Sequence, residues 1–405
     1  MRDVLTFILA GGKGERLNPL TRDRAKPAVP FGGIYRIIDF TLSNCVNSGL
    51  RRIFLLTQYK SFSLQRHLLE GWNIYSNQLG EFIDIIPAQQ RIGADWYKGT
   101  ADAIYQNIYT IEDYNPKLIL ILAGDHIYKM DYRKLIDYHL ERGADMTVGC
   151  IRMPKEESVN FGIIEVDANN QVSGFQEKPQ NPKTIPGMPD QIYGSMGIYL
   201  FNAEVLLKEL ELDAKHPDSG HDFGKNIIPQ MIAKHLKVFA YQFDSEATVS
   251  TYWRDIGTRD AYYQANMDLV GPNPKFNLYE KSWPLRTYHH QYPPIKVIAS
   301  VVGGQHIVGS IENSIIASGC VIEGAKVIRS VLSSNVNVKS RAEIVNSVIM
   351  EGVVIGEGAK IQNAIVDKDN VVPPNARIGF NIEEERKNFA VTASGIVIVA
   401  KRTPL

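Results

Sequence analysis

The stretch Thr6-Phe-Ile-Leu-Ala-Gly-Gly-Lys-Gly-Glu-Arg16 opens this 405-residue chain by joining an apolar run to a cluster of glycines. The run from Val4 to Ala10 predicts a buried strand, and the glycines predict a tight turn at its carboxyl end. Because such a turn presents bare backbone N–H groups, it suits phosphate oxygens. An ordinary glycine-rich turn with no ligand remains the alternative, since a short glycine motif is a weak signal by itself.

Two cations follow this turn, Arg16 and then Lys26 in the segment Arg24-Ala-Lys-Pro-Ala-Val-Pro30. A nucleoside triphosphate requires this combination of close backbone approach and positive charge. The glycine spacing fits neither the dinucleotide-binding fingerprint nor the Walker loop. The residues alone therefore predict a phosphate-binding turn with two cations, and they do not identify the ligand further.

The composition excludes several classes of function. Basic and acidic residues number 44 each, so no global field favours nucleic acid or an anionic membrane as a partner. Three widely spaced cysteines form neither a disulfide framework nor a metal motif, which is typical of a reducing cytosol. The first predicted strand begins within a few residues of the start of the sequence, so we expect no signal peptide, and the apolar runs are too short to span a membrane. We therefore expect a cytoplasmic protein.

Apolar strands alternate with helical periodicity through the first half of the chain, which predicts βαβ units and a mostly parallel sheet. The predicted strands cover residues 53–57, 82–86 and 118–123, and the predicted helices cover 36–49, 61–72 and 100–114. Ligands of such sheets bind beyond the carboxyl ends of the strands. The glycines after Ala10 and the carboxylate of Asp125 are both expected there.

Two acidic residues are candidate ligands of a hard cation. Asp125 closes the strongly apolar strand at residues 118–123, where it could bind a cation beside phosphates or simply cap a helix. Asp255 stands between apolar residues in Trp253-Arg-Asp-Ile-Gly257, and a partly buried acid needs a partner. That partner is either a cation or a neighbouring arginine, Arg254 or Arg259.

Lys178 lies in Glu177-Lys178-Pro179, directly after a strand-like segment. A lysine at a strand end could hold a phosphate as a point charge. An exposed charge pair before a turn explains the same residues, and the position alone favours this simpler interpretation.

The C-terminal part of the chain has a different period. Aliphatic residues six apart form triplets, and each triplet begins 17 residues after the previous one. The triplets are Ile315, Val321 and Val327; Leu332, Val338 and Ile344; Ile349, Ile355 and Ile361; and Val366, Val372 and Ile378. Three faces per turn repeated four times predict a β-helix with one aliphatic ladder per face.

The N-terminal motif resembles the signature of sugar nucleotidyltransferases, which join a sugar 1-phosphate to a nucleoside triphosphate and release pyrophosphate. Further segments resemble the bacterial glucose-1-phosphate adenylyltransferases through nearly the whole chain. These segments are Pro87–Arg91, Trp96–Ala103, Gly124–Tyr128, Ser195–Gly197, His221–Lys225 and Tyr252–Thr258. The resemblance implies a Rossmann-like nucleotidyltransferase domain (residues 1–270), a proline-rich linker (271–295) and a left-handed parallel β-helix of hexapeptide repeats (296–405). It also implies a homotetramer under allosteric control.

The resemblance implies roles for individual residues, which follow as expectations. ATP would contact Leu9, Gly11, Gly12, Gly14, Gln90, Gly99 and Thr100. Glucose 1-phosphate or the ADP-glucose product would contact Tyr97, Gly162, Glu177, Lys178 and Ser195. The catalytic residues would be Arg16, Lys26 and Asp125, and Mg²⁺ would be held by Asp125 and Asp255.

Two alternatives to this function remain at the level of sequence. The chain could use another nucleotide such as UTP or dTTP, or it could be a non-catalytic regulatory paralogue. The Trp96–Ala103 segment argues against the first, and the intact charged residues argue against the second. Relatives bind metabolite effectors at the junction of the two domains. Some carry a basic residue in place of Asp23 and a histidine in place of Pro30, so the sequence does not support a phosphorylated activator at these positions. The sequence does not identify the effector.

Overall fold

The computed structural model describes residues 1–89, 96–243 and 252–405, and it shows an α/β domain followed by a three-sided parallel β-helix. The strands of the α/β domain are β1 (Val4–Leu9), β2 (Pro30–Phe31), β3 (Tyr35–Arg36), β4 (Arg52–Thr57), β5 (Phe82–Pro87), β6 (Leu118–Ala123), β7 (His126–Tyr128), β8 (Met146–Pro154), β9 (Gly162–Val166), β10 (Val172–Glu177), β11 (Gln191–Asn202), β12 (Val238–Gln242) and β13 (Trp253–Asp255). Its helices are α1 (Ile37–Asn47), α2 (Phe62–Gly71), α3 (Thr100–Tyr105), α4 (Ile108–Tyr114), α5 (Tyr132–Arg142), α6 (Ala203–Ala214), α7 (Ile228–Ala233) and α8 (Arg259–Met267). Short 3₁₀ helices cover Glu15–Leu17, Lys26–Ala28, Asn77–Leu79 and Lys155–Asn160, and a π turn covers Phe223–Ile227.

The main sheet has the strand order β10-β9-β11-β6-β1-β4-β5, with β8 also paired to β11 and to β12. Strands β6, β1, β4 and β5 run parallel, whereas β11 pairs antiparallel with β6, β8 and β9. Strand β1 is central, and its side chains alternate between two cores: Val4 and Ile8 enter one, and Leu5 and Phe7 the other. Burial on both faces explains why β1 reads as an uninterrupted apolar run.

The helix predicted for residues 100–114 is wrong in one respect, because the structure divides it into α3 and α4. Asn107 adopts a non-helical conformation as the N-cap of α4. Its side-chain Nδ2 donates to the carbonyl oxygen of Ala103 at 2.8 Å. An asparagine side chain that competes for backbone groups favours such a break, which apolar periodicity does not reveal.

The β-helix is built from short strands on three faces. One face contains β14 (Lys296–Ile298), β19 (Val321–Glu323), β22 (Asn337–Val338), β25 (Val354–Ile355) and β28 (Val371–Val372). The second contains β17 (Ser310–Glu312), β20 (Lys326–Ile328), β23 (Glu343–Val345), β26 (Lys360–Gln362) and β29 (Arg377–Ile378). The third contains β18 (Ile315–Ile316), β21 (Val331–Leu332), β24 (Val348–Ile349), β27 (Ala364–Val366), β31 (Val397–Val399) and β30 (Ala390–Val391). A hairpin of β15 (Ser300–Val302) and β16 (Gln305–Ile307) and a short helix α9 (Ile382–Glu385) complete the described elements.

The predicted ladders are confirmed in the later coils and shifted by one residue in the first. Leu332, Ile349 and Val366 are in register on one face, as the 17-residue spacing requires. In the first coil, however, Ile316 pairs with Leu332, and Ile322 pairs with Val338. The ladder positions there are therefore Ile316 and Ile322 instead of Ile315 and Val321, because this coil is one residue shorter than the others.

The segment between the two domains lies against the α/β domain. The indole Nε1 of Trp283 donates to Asn44 at 2.9 Å, and the buried amine of Lys129 donates to the carbonyl oxygen of Asn277 at 2.6 Å. The domains also share an apolar core, to which the N-terminal segment contributes Leu17, Leu20, Val29 and Phe31 and the β-helix contributes Val331, Val348, Met350, Ile365, Ile396 and Ile398. The predicted boundaries at 270 and 295 remain predictions.

Among the helices of the described ranges, none combines the length and the apolar character that a membrane crossing requires.

Candidate active site

Two distant carboxylates meet at the carboxyl edge of the parallel strands. Asp125 follows β6, and β13 pairs antiparallel with β7 so that Asp255 lies opposite His126. The helix-cap interpretation of Asp125 is wrong, because the next element is a strand. The N-cap of α5 is Asp131, whose side chain accepts from the backbone of Arg133. Asp125 is therefore free of a capping role and borders the cavity described below.

Lys26 is the cation that the two carboxylates share. Its Nζ donates to Oδ2 of Asp125 at 2.6 Å and to Oδ1 of Asp255 at 3.1 Å. Burial alone would lower the pKa of Lys26, but the two carboxylates outweigh it and raise this pKa above its ordinary value. Burial likewise acts to raise the pKa of Asp125, while Lys26 and then His126 lower it below its usual range. Lys26 and Asp125 are therefore both charged at neutral pH. Asp255 is partnered by Lys26, whereas the sequence left a bound cation and a neighbouring arginine as alternatives.

These residues also fit a divalent cation. Ligand atoms of Asp125, His126 and Asp255 all lie within 4.8 Å of one another. Carboxylate oxygens are the hard donors that Mg²⁺ prefers, and two of them beside phosphate oxygens form a typical set. The chemistry of the donor set therefore agrees with the expected Mg²⁺ ligands.

A cavity of about 460 Å³ lies in front of this cluster. Its lining includes residues that were expected to contact ATP and residues that were expected to contact the sugar phosphate, although they come from separate strands. Those expected for the nucleotide are Leu9, Gly11, Gly12 and Thr100, and those expected for the sugar phosphate are Gly162, Glu177, Lys178 and Ser195. Both sets thus border one space together with Asp125 and Asp255.

Two positions of the glycine-rich turn favour glycine for different reasons. A Cβ at Gly11 would lie 3.2 Å from Cβ of Gln58, so a side chain there would crowd the neighbouring strand end. Gly14 has φ +65°, and its carbonyl oxygen accepts from the hydroxyl of Thr21 at 2.8 Å. Gly14 therefore shapes the turn, and it is not one of the described residues that line the cavity.

The sugar-side residues are positioned by local irregularities of the sheet. Gly162 pairs with Glu177, and a Cβ at Gly162 would lie 2.5 Å from the ring of Phe175. Ser195 stands at a bulge of β11, which redirects a strand side chain. Lys178 has φ +50°, a conformation that a lysine adopts only under constraint. Its Nζ lies 3.6 Å from Glu177, and both side chains remain accessible to a ligand.

Arg16 borders a neighbouring cavity of about 580 Å³, which shares Asn160, Phe161, Lys178, Trp253 and Asp255 with the first. The turn after β13 brings Arg16 and Asp255 together. A Cβ at Gly257 would lie 3.2 Å from Nη2 of Arg16 and 2.7 Å from Oδ2 of Asp255. The exposed guanidinium of Arg16 is thus close to the carboxylate cluster.

Gly99 and Tyr97, which are expected near the nucleotide and the sugar, make their contacts elsewhere in the described part of the chain. Gly99 packs against a loop, where a Cβ would lie 2.2 Å from the carbonyl oxygen of His221. The hydroxyl of Tyr97 accepts from Asn107 at 3.0 Å, and neither Gly99 nor Tyr97 borders the two cavities among their described lining residues. Gln90 lies outside the described residues. The expected ligand contacts of all three remain predictions.

Polar and aromatic residues that were not predicted from the sequence also border the cavity. Asp222 accepts from Thr100 at 2.9 Å and caps the π turn at Phe223–Ile227. The ring of Trp253 lies 5.0 Å from that of His126, and the buried Nε1 of Trp253 and Nδ1 of His126 have no hydrogen-bond partner among the described residues. Trp253 precedes the candidate ligand Asp255 by two residues, and this proximity in sequence is the feature that could have indicated its place at the site.

Comparison with known proteins agrees with this geometry. A model of the nucleotidyl transferase family matches residues 5–271, and a GlmU-like C-terminal hexapeptide model matches residues 293–399. The fold and the site thus define a nucleotidyltransferase that carries a hexapeptide β-helix, as the sequence predicts.

Full-length relatives identify the family within the nucleotidyltransferase class. A glucose-1-phosphate adenylyltransferase of Rhodopirellula baltica is 49% identical over 99% of this chain and 90% of its own length. The glucose-1-phosphate adenylyltransferase of Methylococcus capsulatus is 50% identical over 98% of this chain and 93% of its own length. Glucose-1-phosphate adenylyltransferase 2 of Vibrio vulnificus is 53% identical over 98% of this chain and 98% of its own length. The chain belongs to the glucose-1-phosphate adenylyltransferase family.

Proposed function

We propose that this protein transfers the adenylyl group of ATP to glucose 1-phosphate, forming ADP-glucose and releasing pyrophosphate. The observation that carries the proposal is the shared cavity, in which the glycine-rich turn and the Glu177–Lys178 pair face the cluster of Lys26, Asp125 and Asp255. ADP-glucose is a glucosyl donor for α-glucan synthesis such as that of glycogen.

In this reaction a phosphate oxygen of glucose 1-phosphate attacks the α-phosphorus of ATP, and the bond from that phosphorus to the pyrophosphate oxygen breaks. The attacking oxygen is already ionised, so the reaction needs no strong general base. Positioning and charge neutralisation carry the catalysis. Lys26 and Arg16 neutralise phosphate charge, Lys178 holds the sugar phosphate, and Glu177 accepts from glucose hydroxyls.

Asp125 and Asp255 would hold Mg²⁺, which when bound supplies further charge neutralisation at the phosphates. The carboxylates also keep Lys26 protonated and in place, since both oppose the loss of its proton. The two carboxylates therefore contribute by holding positive charge beside the phosphates. The reaction requires no serine, cysteine or histidine nucleophile.

A nucleotide panel tests the proposal directly. Pyrophosphate release is measured with glucose 1-phosphate and ATP, UTP or dTTP in turn, at saturating Mg²⁺. We expect ATP to give the highest kcat/KM. A higher kcat/KM with UTP or dTTP would contradict the assignment of ATP as the substrate. No pyrophosphate release with any of the three nucleotides would support the alternative of a non-catalytic regulatory paralogue.

Lys178 provides the test of the sugar-phosphate site. Lys178→Ala is expected to raise the KM for glucose 1-phosphate by between about ten- and a hundredfold, since one charge-assisted hydrogen bond is lost. The KM for ATP should stay nearly constant. Lys183→Ala is the matched control, because Lys183 is an exposed lysine paired with Glu165 and borders neither cavity among their described lining residues. Equal increases in both KM values for Lys178→Ala would contradict the assignment.

The proposal includes a cytoplasmic homotetramer that responds to a metabolite effector. Cys45, Cys150 and Cys320 are buried free thiols, which agrees with a reducing compartment. The β15–β16 hairpin and the residue after it expose the apolar side chains of Val301 and Val308, with relative exposures of 69% and 75%. Such surface favours contact with another subunit. Sedimentation analysis measures the assembly, and a monomer at micromolar concentration would contradict it.

A further inference from the structure

A buried ion pair joins the β-helix to the segment that carries Lys26. Nη2 of Arg24 lies 2.8 and 2.9 Å from the two carboxylate oxygens of Asp367. Arg24 is 5% exposed and Asp367 is 1% exposed, so water does not replace either partner. A buried pair of this kind holds its geometry tightly, because separating the charges leaves both of them without compensation.

Asp367 is held rigidly on the β-helix side. It directly follows β27, and its backbone N–H donates to the carbonyl oxygen of Val399 at 3.0 Å. The side chain of Asn370 donates to the carbonyl oxygen of Asp367 at 2.7 Å, and Oδ1 of Asp367 accepts from the backbone of Lys368 at the same distance. The carboxylate is therefore a fixed point of the solenoid.

The connection from Arg24 to Lys26 is short and constrained. Only Ala25 separates them, and its backbone N–H donates to the carbonyl oxygen of Lys60 at 3.2 Å. Lys26 begins a 3₁₀ turn that also contains Pro27. Because only one residue with a hydrogen-bonded backbone separates them, a displacement of Arg24 is passed on to Lys26. The position of Lys26 between Asp125 and Asp255 therefore depends on where Arg24 is held.

We propose that Asp367 is a positioning residue for adenylyl transfer: through Arg24 it sets the location of the Lys26 amine, so the β-helix supplies part of the active-site geometry. This inference rests on the proposed function. Ala25, Pro27 and Ala28 pack this segment into the α/β domain, and the buried Arg24–Asp367 ion pair ties it to the β-helix.

The first test is Asp367→Asn, which keeps the shape of the side chain and removes its charge. We expect kcat to fall at least about tenfold, because a displacement of about 1 Å in a reacting group can cost a hundredfold. The KM for glucose 1-phosphate should stay within about twofold, since Lys178 is untouched. Tyr263→Phe is the matched control: it removes another interdomain hydrogen bond, from the Tyr263 hydroxyl to the carbonyl oxygen of Asn346 at 2.7 Å, and should leave kcat unchanged.

A double-mutant cycle separates positioning from general loosening of the domains. If Asp367 acts through Lys26, then Asp367→Asn has no further effect on kcat when it is added to Lys26→Ala. Additive losses of kcat would overturn the proposal, and so would an unchanged kcat in Asp367→Asn alone. If Asp367→Asn does not fold, Arg24→Gln with Asp367→Asn replaces it, because that pair leaves no unpaired buried charge.

The outcome distinguishes this inference from the proposed function. Unmodified protein that releases no pyrophosphate with ATP and glucose 1-phosphate contradicts the function itself. Unmodified protein that is active, with an additive cycle, contradicts only the positioning role of Asp367.

Discussion

Asp125→Asn is expected to lower kcat by on the order of a thousandfold while the protein stays folded. The substitution removes one of the two negative charges that surround Lys26, and it weakens one of the two candidate cation ligands. Asparagine has nearly the same shape, so the cavity keeps its dimensions. Steady-state pyrophosphate release, titrated with Mg²⁺, measures both kcat and the metal concentration at half-maximal rate.

The matched control for this prediction is Asp131→Asn. Asp131 is an aspartate of the same segment, but its side chain caps α5 and lies away from the described cavity walls. We expect Asp131→Asn to leave kcat and the Mg²⁺ titration unchanged, since asparagine also caps helices well. An Asp125→Asn variant that keeps most of its kcat, or an Asp131→Asn variant that loses as much, would show that Asp125 has no special role in the reaction.

Local pattern was sufficient to predict which residues form the carboxyl edge of the sheet. The apolar runs of β1 and β6 are unambiguous because both faces of these strands are buried. The turn glycines and Asp125 follow directly from where those runs end. The break between α3 and α4 was not predictable in this way, because it depends on one side-chain hydrogen bond of Asn107 that competes with the helix.

Partners that are distant in sequence could not be predicted from local pattern. Asp255 was recognised as an acid that needs a partner, but nearby arginines were as plausible as a cation. The pairing of β13 with β7 brings it to Lys26 instead. The same limit applies to Trp253 and Asp222, which border the cavity only because the chain returns to the sheet edge twice. Contacts of this kind are set by topology and not by spacing.

The repeat period was a strong predictor in the β-helix, with one instructive error. Seventeen residues per coil place Leu332, Ile349 and Val366 in one ladder because each coil has the same length. The first coil is one residue shorter, so Ile316 and Ile322 enter the ladders. Terminal repeats of solenoids commonly depart from the period because they have a neighbour on one side only.

Ile355→Asp is expected to destabilise the β-helix by several kcal/mol, since it places an unpaired charge in an apolar interior. Ile355 is fully buried, and its strand pairs in register with Val338 on one side and Val372 on the other. Both in-register neighbours are buried valines, whose side chains offer the carboxylate no hydrogen bond. Thermal unfolding should show a large decrease in Tm, and sedimentation should show loss of the assembled form.

Val371→Asp is the matched control, because it introduces the same charge on the same face of the β-helix with an outward orientation. Val371 is 65% exposed and lies one coil further along, opposite Val354. We expect nearly unchanged Tm and sedimentation for this variant. Because Ile355 belongs to the solenoid interior and not to the core shared between the domains, assembly and effector response should fail before the substrate KM values change. An Ile355→Asp protein that keeps its Tm and its assembly would contradict the packed ladder, and altered KM values in a fully assembled protein would contradict the assignment of Ile355 to assembly and not to substrate binding.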